Sequence, residues 1–353
     1  MEQIRKRQLN KKETKKRILQ RFKSKSALTY FLIVLVLLFG TMFVSISYGA
    51  AEITWSVILE ALLNFDETRT QHLILYDLRF PRVAAAALVG AFLAVSGVIM
   101  QGLTRNPLAS PSIMGVSSGA GFMVAVAFAL FPGTSQLGLV FWAFTGAGIG
   151  AAMVFSIGLL SNRGLTPVKL ALAGAAVSAL LQSASTMLAL YFNVSRDISF
   201  WYAGGVAGIS AQHVHLAAVT ALIGLTAAVL LSRSLTLMSL GDEVAKGLGQ
   251  RTTLVKAIGI LVVLLLTGTA VSISGTIGFI GLVIPHVTKR LIGMDYRWII
   301  PFSAVFGAWL LVLADIAARA VNPPYELPVG AFTALIGVPF FLTLARRDGR
   351  GWK

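Results

Sequence analysis

The chain has 353 residues, 56% of them apolar and only 12% charged, where soluble domains carry roughly 25% charged residues. That composition, with a mean hydropathy of +0.79, excludes an ordinary soluble domain and points to a polytopic membrane protein. The absence of cysteine excludes disulfides, thiolate metal sites and iron–sulfur clusters.

Apolar runs able to cross ~30 Å of hydrocarbon at about 1.5 Å per residue recur along the chain. They fall near residues 28–48, 83–103, 114–131, 137–160, 168–192, 212–232, 254–273, 277–288, 298–318 and 329–345, the eighth being short. The expected fold class is therefore all-α, with about ten transmembrane helices. A basic tail (1–27) precedes a single membrane domain (28–345) that carries a polar loop at 233–253, and a short tail (346–353) follows.

The formal charge of +16 is distributed in a way that argues against nucleic acid. Residues 1–25 hold eleven Lys or Arg beside Glu2 and Glu13, a flank that holds an N-terminus in the cytoplasm against anionic lipid. If the spans alternate from there, the cytoplasmic connections carry 25 of the 30 Lys and Arg, among them Arg105, Arg163 and Lys169. The other side keeps Arg69, Arg79, Arg82, Arg196 and Arg319. Both termini are expected in the cytoplasm. The first apolar run exceeds the 7–15 residues of a signal-peptide core, so an uncleaved span is expected rather than a cleaved leader.

After the first span, Trp55, Val57, Ile58, Ala61 and Leu62 predict a helix in the membrane interface with Glu52 and Glu60 outward. Arg79 and Arg82 bracket Pro81, which is expected to start the second span. Gly90, Ala94 and Gly97 then make a small-residue stripe for close helix approach. At the inner end, Asn106-Pro107-Leu108-Ala109-Ser110-Pro111 predicts a structured turn, because two prolines remove donors and restrict their predecessors. Gly115 to Gly121, Gly146 to Gly150 and Gly174 to Ala176 continue the small-residue style. FWYAGGVAG at 200–208 reads as an interfacial aromatic belt or a ligand platform. His213 and His215, two apart on a helix, point to different sides and do not suit a shared metal.

The longest polar interruption of the second half runs from Arg233 to Lys256. It predicts a short amphipathic helix: Ser239 as N-cap, Asp242 and Glu243 in the first turn, and Gly247 and Gly249 at the end. Leu240, Val244 and Leu248 fall on one face. Downstream, Gly275, Gly278 and Gly281 recur every third residue and Pro285 interrupts the short eighth segment. Such Gly/Pro-broken segments mark pathways or moving parts in transporters, and GVIMQGLTRNPLASP offers a counterpart in the first half. The echo between AVSGVI (94–99) and AVSISGTI (270–277) would suit an inverted repeat. Asp315 and Arg319 stand four apart near the external end, and Pro323 to Pro328 predicts a rigid turn.

Several of these stretches occur together, in order, in one family. LRFPR, QGLTRNPLASPSIMGVSSGAG, LGDEVAKGLG, GTIGFIGLVIPH, and ADIAAR followed by ELPVGAFTALIGVPFF resemble the permease subunits of iron-siderophore and vitamin B12 ABC importers (FecCD-type, type II). The resemblance covers about residues 30 to 345. It implies a ten-helix subunit paired with itself or a close homologue, two cytoplasmic ATPase subunits that hold the ATP and Mg, and an extracytoplasmic binding protein. It implies that the loop is the ATPase-coupling element, with Ser239, Leu240, Gly241, Asp242, Glu243, Val244, Leu248 and Gly249 as its residues. It also implies that Arg79, Arg82 and Arg319 meet carboxylates of the binding protein, while Asp77 and Asp315 are their local alternatives. Asn106, Pro107, Pro111, Gly275, Gly278, Gly281 and Pro285 are the expected pathway turns.

No G-x-x-x-x-G-K-[ST] occurs, so the energy must come from a partner, and neither a nucleophile–base constellation nor H-E-x-x-H suggests an enzyme. The function expected is import of an iron(III)-siderophore across the inner membrane of a bacterium, with no cofactor or metal on this chain. Vitamin B12 or haem import by the same architecture is the nearest alternative. An ion-coupled secondary transporter would need intramembrane carboxylates, for which Asp315 is the candidate. A channel-like or lipid-handling protein would leave the polar loop unexplained.

Overall fold

The computed structural model describes residues 28–49, 51, 53–159, 167–323 and 325–348. The basic tail 1–27, Glu52, Arg163, Pro324 and residues 349–353 lie outside them, together with the expectations placed there. Among the described residues all regular structure is helical. In chain order the helices are α1 (Leu28–Ser47), α2 (Trp55–Leu63), α3 (Thr70–Thr104), α4 (Val116–Leu130), α5 (Gln136–Leu159), α6 (Pro167–Tyr191) and α7 (Ser195–Ala203). Then follow α8 (Ala211–Met238), α9 (Asp242–Gly247), α10 (Thr252–Ser274), α11 (Ile280–Ile292), α12 (Tyr296–Ala320) and α13 (Val329–Asp348).

Seven of these, α1, α3, α5, α6, α8, α10 and α12, are long and apolar enough to cross a membrane. The shorter α4, α11 and α13 occupy the three remaining expected segments. The short α2 forms where it is expected, burying Ile58 and Ala61 and exposing Trp55, Leu59 and Leu62. His213 serves the start of α8, where it and Ser210 form a reciprocal capping box.

The bundle is built around α3, whose residues 89–103 are all buried and which packs against α8, α10, α11 and α12. Its 35 residues rise about 52 Å, well beyond the hydrocarbon thickness. The helix starts at Thr70, not near residue 83 as hydropathy suggests, and Pro81 lies inside it rather than at its beginning. A proline within a helix lacks the N–H and crowds the carbonyl four residues back. Here the turn just before it, Ile74–Arg79, widens into a π-helix, which absorbs that crowding without ending the helix.

Lipid tails are as apolar as leucine, so helices in a bilayer are held by close van der Waals contact and interhelical polar bonds. The small-residue stripe of α3 supplies the former. A Cβ on Gly90 would run into the carbonyl of Gly307 on α12, and one on Gly97 would run into the carbonyl of Gly281 on α11. Hydroxyl pairs supply the latter, with Thr220 and Thr269 at 3.2 Å between α8 and α10, and Ser303 and Thr288 at 3.1 Å between α12 and α11.

Pro285 does not interrupt α11, which runs through it from Ile280 to Ile292; the break is at Gly275 to Phe279. Gly275 (φ +66°) and Phe279 (φ +67°) both take left-handed backbone there. What Pro285 does is deprive the carbonyl of Gly281 of its helical donor, and that is the carbonyl pressed on Gly97. Pro111 also packs at Gly281, so the two Gly/Pro-rich segments meet in space. The AVSGVI echo has no such counterpart: residues 94–99 lie in mid-helix, whereas AVSISGTI leaves the helix at Gly275.

Substituting Gly97 by Ala is expected to lower stability by about 1–3 kcal/mol or more, because only backbone could move to admit the methyl group. Gly40→Ala on α1, which meets nothing within 4 Å, is the matched control and is expected to leave Tm unchanged or slightly raised. Thermal unfolding in detergent measures both.

Candidate functional site

Two polar clusters lie at opposite ends of α3. Arg82 and Arg105 are separated by roughly 23 residues of continuous helix, or about 34 Å.

At the Arg82 end the centre is Asp315 of α12, whose carboxylate is fully buried. Arg82 reaches it at 2.8 Å from α3, and Arg319 at 3.0 Å from one turn further along α12. Arg82 also makes a paired contact with Glu326 in the turn before α13, at 2.7 and 3.0 Å. Arg319 reaches across to α1, donating to Ser45 Oγ at 2.6 Å and to the carbonyls of Ser45 and Tyr48. Arg79 donates to the carbonyls of Ile46 (2.6 Å), Ser47 (2.8 Å) and Ala51. Two arginines thus satisfy carbonyls at and just beyond the end of α1, where a helix leaves acceptors unpaired and partial negative charge gathers.

The local pairing considered for Arg319 is present, whereas Arg79 bonds to backbone and not to Asp77. Arg79 and Arg319 are 7% and 8% exposed, and what is open of each borders a cavity. Arg82 touches solvent beside Glu326, whose side chain is 40% exposed. The Arg82–Glu326 pair stands between two cavities. One, of about 360 Å³, is lined by Tyr48, Leu78, Arg79 and Arg319; the other, of about 440 Å³, by Phe200, Trp201, Ser274 and Pro328. Part of the FWYAGGVAG stretch therefore lines a cavity, and Gly275 borders it, its loop tied down by Thr276 Oγ1 to the Tyr202 carbonyl at 2.8 Å.

At the Arg105 end stands the polar loop. Ser239 does not cap α9: it closes α8, and its hydroxyl bonds back to the Thr236 carbonyl at 2.6 Å. The residue at the start of α9 is Gly241, with φ +123°, a backbone conformation that a side chain disfavours. Glu243 shares the first turn with Asp242, and Ala245 is fully buried and seats the helix. Gly249 (φ +80°) ends it, with Gln250 N–H bonded to the Ala245 carbonyl and Gly249 N–H to that of Lys246. That pair of bonds is a Schellman end, while Gly247 falls in the last helical turn. Leu240, Val244 and Leu248 are 63%, 49% and 63% exposed, an apolar stripe facing outward.

The loop is braced by charge. Asp242 Oδ2 accepts from Lys256 of α10 at 2.6 Å and lies 3.4 Å from Arg105 at the end of α3. The Lys256 hydrogen bond, with Arg105 and Lys246 adding to it, holds the Asp242 carboxyl below its ordinary value against the opposing effect of burial. Asn106 makes the following turn through Oδ1, which accepts from Leu108 N–H at 2.9 Å; Pro107 follows it, and Pro111 opens a 3-10 turn. Nearby, Lys289 donates to Gln101 at 2.8 Å. Gly278 meets nothing within 4 Å. Arg105, Lys256 and Glu326 carry no local signal in the sequence, because each partner is 14 or more positions away.

Asp315→Ala would leave the buried Arg319 and the largely buried Arg82 without their shared carboxylate, and is expected to cost about 3–5 kcal/mol, read as lost detergent-extracted yield and lower Tm. Glu326→Gln, at the solvent edge, is expected to cost about 1 kcal/mol or less. Because the Asp242 carboxyl is lowered, its contribution is present above the usual carboxylate range and lost as pH falls through its own, lower value. The Tm difference between parent and Asp242→Asn should therefore be constant near neutral pH and shrink only below about pH 4.

Comparison with known proteins places this architecture. Residues 35–347 match the FecCD transport family. The iron(3+)-hydroxamate import system permease protein FhuB of Bacillus subtilis is 62% identical over 309 residues, covering 88% of this chain and 80% of that protein. The ferric enterobactin transport system permease protein FepD of Escherichia coli is 37% identical, covering 90% of this chain and 95% of its own. A solved chain of a metal-chelate type ABC transporter in an inward-facing conformation superposes with a TM-score of 0.79 at 30% identity, covering 90% of this chain and 99% of that one. The chain belongs to the FecCD transport family.

Proposed function

We propose that this chain is the transmembrane permease subunit of an ABC importer that carries an iron(III)-siderophore delivered by an extracytoplasmic binding protein. The family match and the import systems to which the relatives belong support the reading, and the 62% identity to a hydroxamate permease makes iron(III)-hydroxamates the first cargo to test. Vitamin B12 and haem are the alternative cargoes.

The observation that carries the mechanism is the loop: a helix opened by a glycine at positive φ, closed by a Schellman end and held by an ionic brace, with three apolar side chains turned outward. Exposed leucines on a rigid, charged connection suit a groove in a cytoplasmic ATPase subunit. Two such subunits, holding ATP and Mg, would drive a permease pair of this chain with itself or a paralogue. With the loop in the cytoplasm, both termini face that side and the Arg82 end faces out. There the binding protein would dock, its carboxylate displacing Glu326 from Arg82, while Arg79 and Arg319 hold α1 in place. An ion-coupled mechanism is disfavoured by Asp315, which is neutralised by two arginines and so has no capacity left for a coupling cation.

In cells lacking their own permease, the chain with its ATPase and binding protein is expected to restore uptake of radiolabelled iron(III)-hydroxamate. Uptake that survives inactivation of the ATPase but not dissipation of the proton gradient would overturn the reading. Val244→Asp is expected to lower co-purification of the ATPase at least tenfold without lowering Tm. Glu326→Gln is expected to tighten capture of the binding protein several-fold at low salt, and unchanged affinity would remove Arg82 from the docking surface.

A further inference from the structure

Arg105 has no place in the expected coupling element, yet the geometry around it is costly to build. It is the residue just past the end of α3, and its backbone is left-handed, with φ 51° and ψ 29°. That position in a helix end favours glycine, and a side chain there costs about 1 kcal/mol of backbone strain. Retaining an arginine aims its guanidinium at Asp242, with Nη2 at 3.4 Å from Oδ2 and Nη1 towards Gly241. On the other side of the same oxygen, Lys256 binds from α10 at 2.6 Å.

The last turn of α3 is locked to its surroundings at each step. Leu103 packs on Gly259 of α10, Gly102 lies under the ring of Tyr296 at the start of α12, and Gln101 accepts from Lys289 of α11. The opposite end of the same helix holds the Arg82–Asp315–Glu326 cluster. A force applied to the loop therefore has a short rigid route, from Asp242 through Arg105 into the central helix, and so to the other side of the bundle.

We infer that Arg105 is a positioning residue for transport, the joint that ties the ATPase-facing loop to α3 and makes α3 the rod between the loop and the outer arginine cluster. The inference rests on the proposed role of the loop. It assigns Arg105 no contact with cargo or nucleotide.

The test uses the full transporter in proteoliposomes with its ATPase and binding protein. Arg105→Gly relieves the left-handed backbone while deleting the side chain, so Tm and co-purification of the ATPase are expected to equal or exceed those of the parent. Iron(III)-hydroxamate uptake per ATP hydrolysed, and the stimulation of ATPase activity by the loaded binding protein, are expected to fall at least tenfold. Arg105→Lys keeps a cation within reach of Asp242 and is expected to recover at least half of the parent ratio. A glycine variant with parental stimulation and uptake, or a lysine variant as uncoupled as glycine, overturns the inference. Val244→Asp run in parallel separates the two readings. If it loses the ATPase while Arg105→Gly stays coupled, only the α3 route fails; if it stays assembled and coupled, the loop itself is not the coupling element.

Discussion

Everything in this bundle depends on how closely other backbones can approach α3. A helix buried along fifteen consecutive residues, 89 to 103, must receive neighbours on every side. In lipid no solvent-driven force brings them there. Contact has to be made by the atoms themselves, and at Gly90 and Gly97 the arriving groups are main-chain carbonyls of Gly307 and Gly281. Bulk at either position would separate helices rather than fill a gap. The positions of α11 and α12 follow from those two absences of a side chain.

Charge is arranged by the same logic. At the Arg82 end, three arginines surround two carboxylates, and the surplus is spread over main-chain carbonyls at the end of α1. The structure gives this positive charge an internal use: it fastens the first helix to the third and the twelfth. At the Asp242 end one carboxylate serves two cations from different helices, so the loop is held at its base while its apolar stripe stays outside.

Much of this was readable from the amino-acid order. Hydropathy located the helical segments, the small-residue stripe of α3 announced close approach, and Gly249 announced the end of α9. The start of α3 was not readable, because Pro81 looks like a beginning and only the π-helical turn before it lets the helix continue from Thr70. Ser239 looked like a cap because it stands three residues before Asp242, but α8 extends far enough to claim it. Arg82 has partners 233 and 244 positions away, and no local pattern reports contacts made only by folding.

The carbonyl that Pro285 leaves without a helical donor carries a mechanical consequence. In the folded chain it rests against Gly97, with the Gln101 amide 3.5 Å away. If α11 slid along α3, that oxygen would leave the glycine that admits it and the Gln101 amide, and would meet side chains in an interior without water. The two helices are therefore fitted to each other at one register, and the unwound stretch Gly275 to Phe279 is where the backbone of α11 parts from that of α10.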